Sequence, residues 1–205
     1  MNTPLDVPSP IDLQSPEDAA AWEQKAMAVR PWLIEFFECF AMEIAKAEGP
    51  VRVLELGSGP GFLAARLLAA LPKLSMVLLD FSKPIHDLAR ARLAPHLERV
   101  EFVERSFKDP NWFDSLNGFD FVVTNQAVHE LRHKRYATAL HKQVRNVLSP
   151  NGRYLVSDHY VGDGDMSNND LYMTVEEHRE ALALAGYRSI SELKHKGGMV
   201  LNSAA

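Results

Sequence analysis

The stretch VLELGSGPGFLAARLL, Val53–Leu68, decides how the rest of the chain is read. An apolar run ending at Leu56 passes directly into Gly57, Gly59 and Gly61, and an apolar repeat at helical spacing begins with Phe62. A strand that turns straight into a helix needs backbone conformations closed to most side chains. Glycine supplies them, and it lets a ligand approach without a Cβ in the way.

Working outward from this loop, short apolar runs alternate with helical stretches. VRVLEL is a strand and GFLAARLLAALP a helix; SMVLLD is a strand, SKPIHDLARARLAPHL a helix and VEFVE a strand. FDFVVTN, a long helix from Glu130 to Leu148, and the strand GRYLVSDHY follow. TVEEHREALALAG is a helix ended by Gly186, and YRSISELKH with GGMVLNSA reads as a closing antiparallel pair. This alternation predicts an α/β fold: a doubly wound, Rossmann-like, mostly parallel seven-stranded sheet closed by an antiparallel strand. Upstream, Pro4, Pro8, Pro10 and Pro16 lie among polar residues, so residues 1–15 are expected as a mobile arm. Residues 16–48 are expected as a helical cap, with Ser15 as N-cap of one helix and a second around Pro31–Lys46. Residues 49–205 form the remaining domain.

About twenty residues beyond the glycines, VLLDFS ends a second strand with Asp80, where an acid accepts ribose hydroxyls. Glycine loop and acid together point to an adenosine cofactor. A dinucleotide fingerprint starting at Gly57 needs glycine or alanine at position 62, where this chain has Phe62, which weakens an NAD or FAD reading.

The string E-x-G-x-G-x-G, Glu55 to Gly61, instead resembles the first motif of the class I S-adenosylmethionine-dependent methyltransferases. The resemblance continues in register from about Val51 to Ala204, with FDFVVTNQAVHEL similar to the fourth-strand motif and LSPNGRYLVSD to the approach to the fifth strand. It implies S-adenosylmethionine as cofactor, bound by Glu55, Gly57, Ser58, Gly59 and Gly61, with Asp80 on the ribose and Phe81 beside the adenine. Asn125 and Gln126 would lie under the methionine portion or the transferred methyl. After VEFVE the family usually has an aspartate on the adenine amino group. This chain has Arg105, Ser106 and Phe107, so Ser106 and Phe107 are the expected adenine contacts.

Composition narrows the partner. With 22 Lys+Arg against 27 Asp+Glu the net charge is −5, which gives no global attraction to nucleic acid or anionic membrane. Cys39 is the single cysteine, so no intramolecular disulfide forms and a reducing, cytoplasmic setting is expected. The first residues have no signal-peptide pattern, and no apolar run is long and uncharged enough to span a membrane. No Asn-Pro-Pro-Tyr type signature follows the fourth strand, where NQAV stands, so a small-molecule methyl acceptor is expected.

One motif competes. HELRH, His129–His133, has the spacing that places two imidazoles on one helical face beside a glutamate, as in zinc metalloproteases. Tyr136 and Ala139 stand where the extended zinc motif has glycine and histidine, and the charges of Arg132, Lys134 and Arg135 suggest a solvated face with His133 at the surface. No metal site is assigned, and the aspartates 163, 165 and 170 lack calcium-loop spacing. His129, directly after the fourth strand, is instead a candidate general base, and Asp158 with His159 at the end of the fifth strand is a second candidate pair on the same rim. The loop with Gly162 and Gly164 is a candidate lid. A chain that binds the cofactor without catalysis, as a sensor or partner subunit, is the alternative to an enzyme.

Overall fold

The computed structural model describes residues 6–162 and 166–205. Seven strands form one sheet: β1 (Val51–Leu56), β2 (Leu74–Asp80), β3 (Val100–Glu104), β4 (Phe119–Asn125), β5 (Leu148–His159), β6 (Ile190–Lys196) and β7 (Met199–Ala204). Their order is β3-β2-β1-β4-β5-β7-β6, with β1 to β5 parallel and β7 antiparallel to both β5 and β6. This is the Rossmann-like sheet expected from the alternation. The chain leaves β1 towards β2 on one side and returns as β4 on the other, so a crevice opens at the carboxyl ends of β1 and β4.

The helices are α1 (Pro16–Val29), α2 (Leu33–Ile44), α3 (Phe62–Ala70), α4 (Lys83–Arg92), α5 (Ala137–Val144) and α6 (Val175–Leu184). Two apolar layers cover the sheet. Phe36, Phe40, Leu67 and Leu68 of α2 and α3 meet Val53, Met76 and Leu78 in one layer. Leu140, Val144 and Leu182 of α5 and α6 meet Leu54, Val122 and Tyr154 in the other. Ser15 acts as the expected N-cap, accepting the Asp18 N–H at 3.3 Å, and the structure adds a capping box of Thr174 with Glu177 on α6.

The long helix expected from Glu130 to Leu148 is not one helix. A 3₁₀ turn spans Val128–Leu131 and Arg132 stops it with φ +66°; His133 is extended, a second short turn spans Lys134–Tyr136, and only then does α5 begin. Nor are Arg132 and His133 a solvated face: each is 8% exposed, and His141 is fully buried. The reason is the preceding arm. Arg132 donates from Nε to the Val7 carbonyl at 2.8 Å and from Nη2 to the Pro8 carbonyl at 2.7 Å, while its own carbonyl accepts the Val7 N–H at 2.8 Å. A guanidinium satisfied in this way needs no water.

Residues 6–15 of the segment expected to be a mobile arm therefore run along the carboxyl rim of the sheet. They pass from Arg132 to the end of β2, where Ser82 donates its hydroxyl to the Leu13 carbonyl and Gln14 donates to the Phe81 carbonyl at 3.1 Å. Residues 1–5 lie outside the described residues, as do 163–165, the part of the expected lid that holds Gly164 and two aspartates. No helix among the described residues is long and apolar enough to cross a membrane.

Candidate active site

The first wall of the crevice is made largely of backbone. Gly57, Gly59 and Gly61 have φ of 64°, 54° and 78°, and the Gly57 and Ser58 N–H groups donate to the Leu79 carbonyl at 2.8 and 3.1 Å. A Cβ on Gly57 would lie 2.6 Å from the Ala127 Cβ and 3.2 Å from the Phe107 ring, so the loop tolerates no side chain there. Asp80, 7% exposed at the end of β2, accepts the Gly59 N–H at 2.9 Å on one oxygen and the Ser82 N–H at 3.1 Å on the other. Burial raises its pKa, and these backbone bonds oppose the rise. Each oxygen keeps a lone pair for a further donor.

Glu55, at the end of β1, is almost fully buried with Oε2 unpartnered, and burial followed by the Asp80 charge raises its pKa well above the ordinary value. Asn125 at the end of β4 likewise has a buried Oδ1 without a partner. Two unpartnered buried acceptors beside a cradle that a Cβ would fill fit the amino and hydroxyl donors of an aminoacyl nucleoside. Phe81 is 41% exposed at the rim. Phe107 is packed under the glycine loop, and Ser106 uses its hydroxyl to accept the Lys108 N–H at 3.2 Å, closing its own turn.

The second wall is made of side chains. Asn125 pairs with Ser157 in the β4–β5 register, which brings the residues following each strand together. Asp158 grips His129 twice: Oδ2 accepts the His129 backbone N–H at 2.8 Å and Oδ1 lies 2.6 Å from Nδ1. His129 Nε2 is 3.4 Å from Glu130 Oε1. Burial opposes the imidazolium, but Asp158 and then Glu130 prevail and push the His129 pKa up to about 10, while the same pair holds Asp158 well below the usual carboxylate range against its own burial.

His159 has a different part. Its Nε2 is 3.1 Å from Gln126 Oε1, so the ring carries its proton there and leaves Nδ1 buried and unpartnered. Burial keeps it neutral, with a pKa of about 4. Gln126, next after β4, is held at φ +56° with its N–H donated to the Ser157 carbonyl at 2.8 Å, a strained residue between the two walls. Thus His129 and Asp158 form a dyad, whereas His159 orients Gln126.

The HELRH spacing does not act as a helical metal motif. His129 and His133 lie on separate turns with Arg132 between them in a left-handed conformation, His129 Nδ1 is taken by Asp158, and His133 Nδ1 accepts the Arg135 N–H at 3.2 Å. Among the described residues no group of three His, Cys, Asp or Glu side chains is arranged to hold a metal.

Residues 53–152 match the family described as a methyltransferase domain. That segment carries a methyltransferase domain, and its glycine loop and Asp80 are those that resemble the class I S-adenosylmethionine-dependent methyltransferases. The malonyl-[acyl-carrier protein] O-methyltransferase of Geobacter sulfurreducens is 29% identical over 164 residues, 70% of this chain and 59% of the relative. The chain thus spans about three fifths of that curated relative's length. Among solved structures, human N-acetylserotonin methyltransferase in complex with SAM superposes with TM-score 0.70 at 17% identity, covering 93% of this chain and 56% of that one. An O-methyltransferase family 2 protein from Planctomyces limnophilus in complex with apigenin gives 0.73 at 16% identity, over 94% and 62%. At these identities the structural likeness establishes the fold.

Around the methyltransferase domain's crevice stand residues that motif reading missed. The Tyr172 ring lies 5.5 Å from that of His129 and 6.1 Å from that of His159, and His178 on α6 pairs through Nε2 with the His159 carbonyl at 3.0 Å. Their only sequence signal was an aromatic and a histidine next to a polar loop. α1 crosses above the glycine loop: Trp22 lies 3.9 Å from a Cβ built on Gly59, and Glu23 pairs with Arg92, which also donates to the Pro60 carbonyl. A separate cleft of about 290 Å³, lined by Glu43, Asp120 and Arg153 among others, lies at the opposite end of the sheet, where none of these groups is found.

Proposed function

We propose that the domain binds S-adenosylmethionine along the β1–β2 wall and transfers its methyl group to a hydroxyl of a small-molecule acceptor at the β4–β5 wall. When bound, that cofactor supplies a methyl carbon already activated by a sulfonium charge. The chain's own residues have correspondingly little chemistry to do beyond alignment, exclusion of water and removal of one proton. Gly57, Ser58, Gly59, Gly61, Glu55 and Asn125 hold the amino-acid end, Asp80 takes the ribose hydroxyls, and Phe81, Ser106 and Phe107 border the adenine. Gln126 separates that pocket from the acceptor.

The observation that carries the catalytic half is the double grip of Asp158 on His129. It keeps the proton on Nδ1 and directs Nε2, when unprotonated, to act as the base for the acceptor hydroxyl. A pKa raised to about 10 makes that base strong but leaves the imidazole mostly protonated near neutral pH. Turnover is therefore expected to climb with pH. His159 is read as positioning Gln126 through Nε2, and with a pKa lowered by burial to about 4 its ring is a far weaker base than that of His129.

An acid-poor basic surface of the kind that holds RNA is not what the composition offers, and the O-methyltransferase likenesses favour a small acceptor. The lone Cys39, half-buried and reduced, suits a cytoplasmic setting.

Calorimetric titration of the metal-free chain with S-adenosylmethionine, S-adenosylhomocysteine, NAD and zinc tests the cofactor half. Saturable binding of the two adenosyl ligands alone is expected. Absence of both, or binding of zinc or NAD in their place, would overturn the reading. Release of S-adenosylhomocysteine with a hydroxylated acceptor then separates an enzyme from a binding-only sensor.

A further inference from the structure

The junction of α1 and α2 is pinned over the end of β5. The Trp32 ring packs so tightly on the β6–β7 turn that a Cβ on Gly197 would lie 2.5 Å from it. In the same turn the Gly198 carbonyl accepts the Tyr160 N–H at 3.1 Å, and Met199 pairs with His159. Arg30, the residue that ends α1, stands two residues before Trp32 and so close in the chain to that pinned junction.

Its guanidinium is unlike the others. Each other buried or half-buried arginine among the described residues has a partner: Arg52 donates to the Asn117 carbonyl, Arg92 to Pro60 and Glu23, Arg99 to carbonyls of α3 and its loop, Arg105 to Trp112 and Asp114, Arg132 to the arm and Arg135 to Asp6. The half-buried Arg30 side chain has no hydrogen bond, ion pair or aromatic stack among the described residues. Its charge nevertheless reaches the site. After burial, the positive charges of His129 and Arg30 disfavour protonation of His159, and Arg30 opposes the burial-driven rise of the Tyr172 pKa.

The neighbouring acids are already balanced. Asp158 is paired with His129, Glu130 lies 3.3 Å from Arg132, and Glu177 pairs with Lys134 at 2.6 Å. A half-buried guanidinium without a carboxylate partner offers a planar pair of donors that suits a carboxylate. Leu171, Tyr172 and Met173 line a small cavity with His129 and His159, and the Tyr172 ring lies 5.5 Å from that of His129.

Resting on the methyltransferase reading above, we propose that the acceptor is a small hydroxy acid whose carboxylate is held by Arg30, its apolar body lying against Tyr172 and its hydroxyl directed to His129. The carboxylate anchors and is not methylated. The oxygen of the hydroxyl forms the new bond to the methyl carbon, its proton passes to His129 Nε2, and the sulfonium sulfur takes the electron pair of the bond that breaks.

The test uses the full chain with S-adenosylmethionine and matched pairs of hydroxybenzoates and hydroxycinnamates with their carboxamides, read by S-adenosylhomocysteine release. 4-Hydroxybenzoate and its amide are also titrated into the chain saturated with S-adenosylhomocysteine. For at least one pair the acid is expected to be favoured by about 10- to 100-fold, the range of a charge-assisted bidentate contact. Arg30→Met should remove that preference through KM, with kcat within about twofold and cofactor affinity and melting temperature unchanged, and Arg30→Lys should restore part of it. Equal treatment of acids and amides by the native chain, inertness of every pair, or a preference that survives Arg30→Met overturns the proposal while leaving cofactor binding standing. Failure to bind S-adenosylmethionine at all removes the methyltransferase reading and this one with it.

Discussion

The two walls of the crevice are built in opposite ways. At the β1–β2 wall the working parts are glycines, backbone N–H groups and one acid, all within a short span of chain: Gly57 to Gly61 and Asp80. At the β4–β5 wall they are side chains, His129 and Asp158, brought together across neighbouring strands and buried with their charges balanced. Backbone donors cannot be titrated or removed singly, so the first wall is a fixed cradle. The second depends on a proton that pH and single substitutions can move. On the proposed function, a fold that keeps its cofactor grip in the backbone leaves the acceptor side free to carry the specific chemistry.

That contrast is sharpest at the dyad. His129→Ala is expected to lower turnover by about 10²- to 10⁴-fold, the usual contribution of a positioned base, with cofactor affinity little changed. Unchanged kcat would place the base elsewhere. Because Asp158 raises the His129 pKa to about 10, kcat/KM in the native enzyme should rise with pH above neutrality. In Asp158→Asn the inflection should move down towards the ordinary histidine range, and a profile identical to the native one would break the coupling. Stability follows the same signs. His129, with a raised folded pKa, contributes below the ordinary histidine pKa and loses that contribution as pH rises through about 10. Asp158, with a lowered one, contributes above the ordinary carboxylate pKa and loses it in acid. Asp158→Asn should therefore lower the melting temperature more at pH 6 than at pH 10.

On the opposite wall the expected effect of a single methyl is nearly as large. Gly57→Ala forces a side chain onto a φ of 64° and against Ala127. A loss of about 2–5 kcal/mol in denaturant unfolding is expected from the sum of backbone strain and overpacking. A variant that melts like the native chain would show that the loop is looser than its contacts suggest. Smaller again is Asp80→Ala, expected to weaken S-adenosylmethionine binding by about 10- to 100-fold while leaving kcat at saturating cofactor almost intact. If it changed kcat alone, the division between the two walls would be wrong.

The same division governs how far the chain could be read. The glycine loop, Asp80 and the succession of strands were legible because their causes are local: a strand must end, the backbone must turn, and the residues that permit it are adjacent in sequence. The segment after β4 was misjudged for the complementary reason. Arg132 to Arg135 has the look of a charged, solvated helix face, but Arg132 is buried because carbonyls of Val7 and Pro8, more than a hundred residues earlier in the chain, satisfy its guanidinium. No window around Arg132 contains that information. His129, Asp158 and His159 could be named as rim residues from their places after strands, yet not sorted into roles. Sorting them required the β4–β5 register and the direction of each ring.

Sequence alone determined the doubly wound sheet, the glycine loop and the acid that ends the second strand, because strand and helix periodicity and glycine's freedom at positive φ act over a few residues. The tertiary structure decided which histidine meets a carboxylate, which arginine is left without one, and how the N-terminal segment crosses the rim. Those outcomes depend on distances between residues far apart in the chain, which only the packed order of the strands sets.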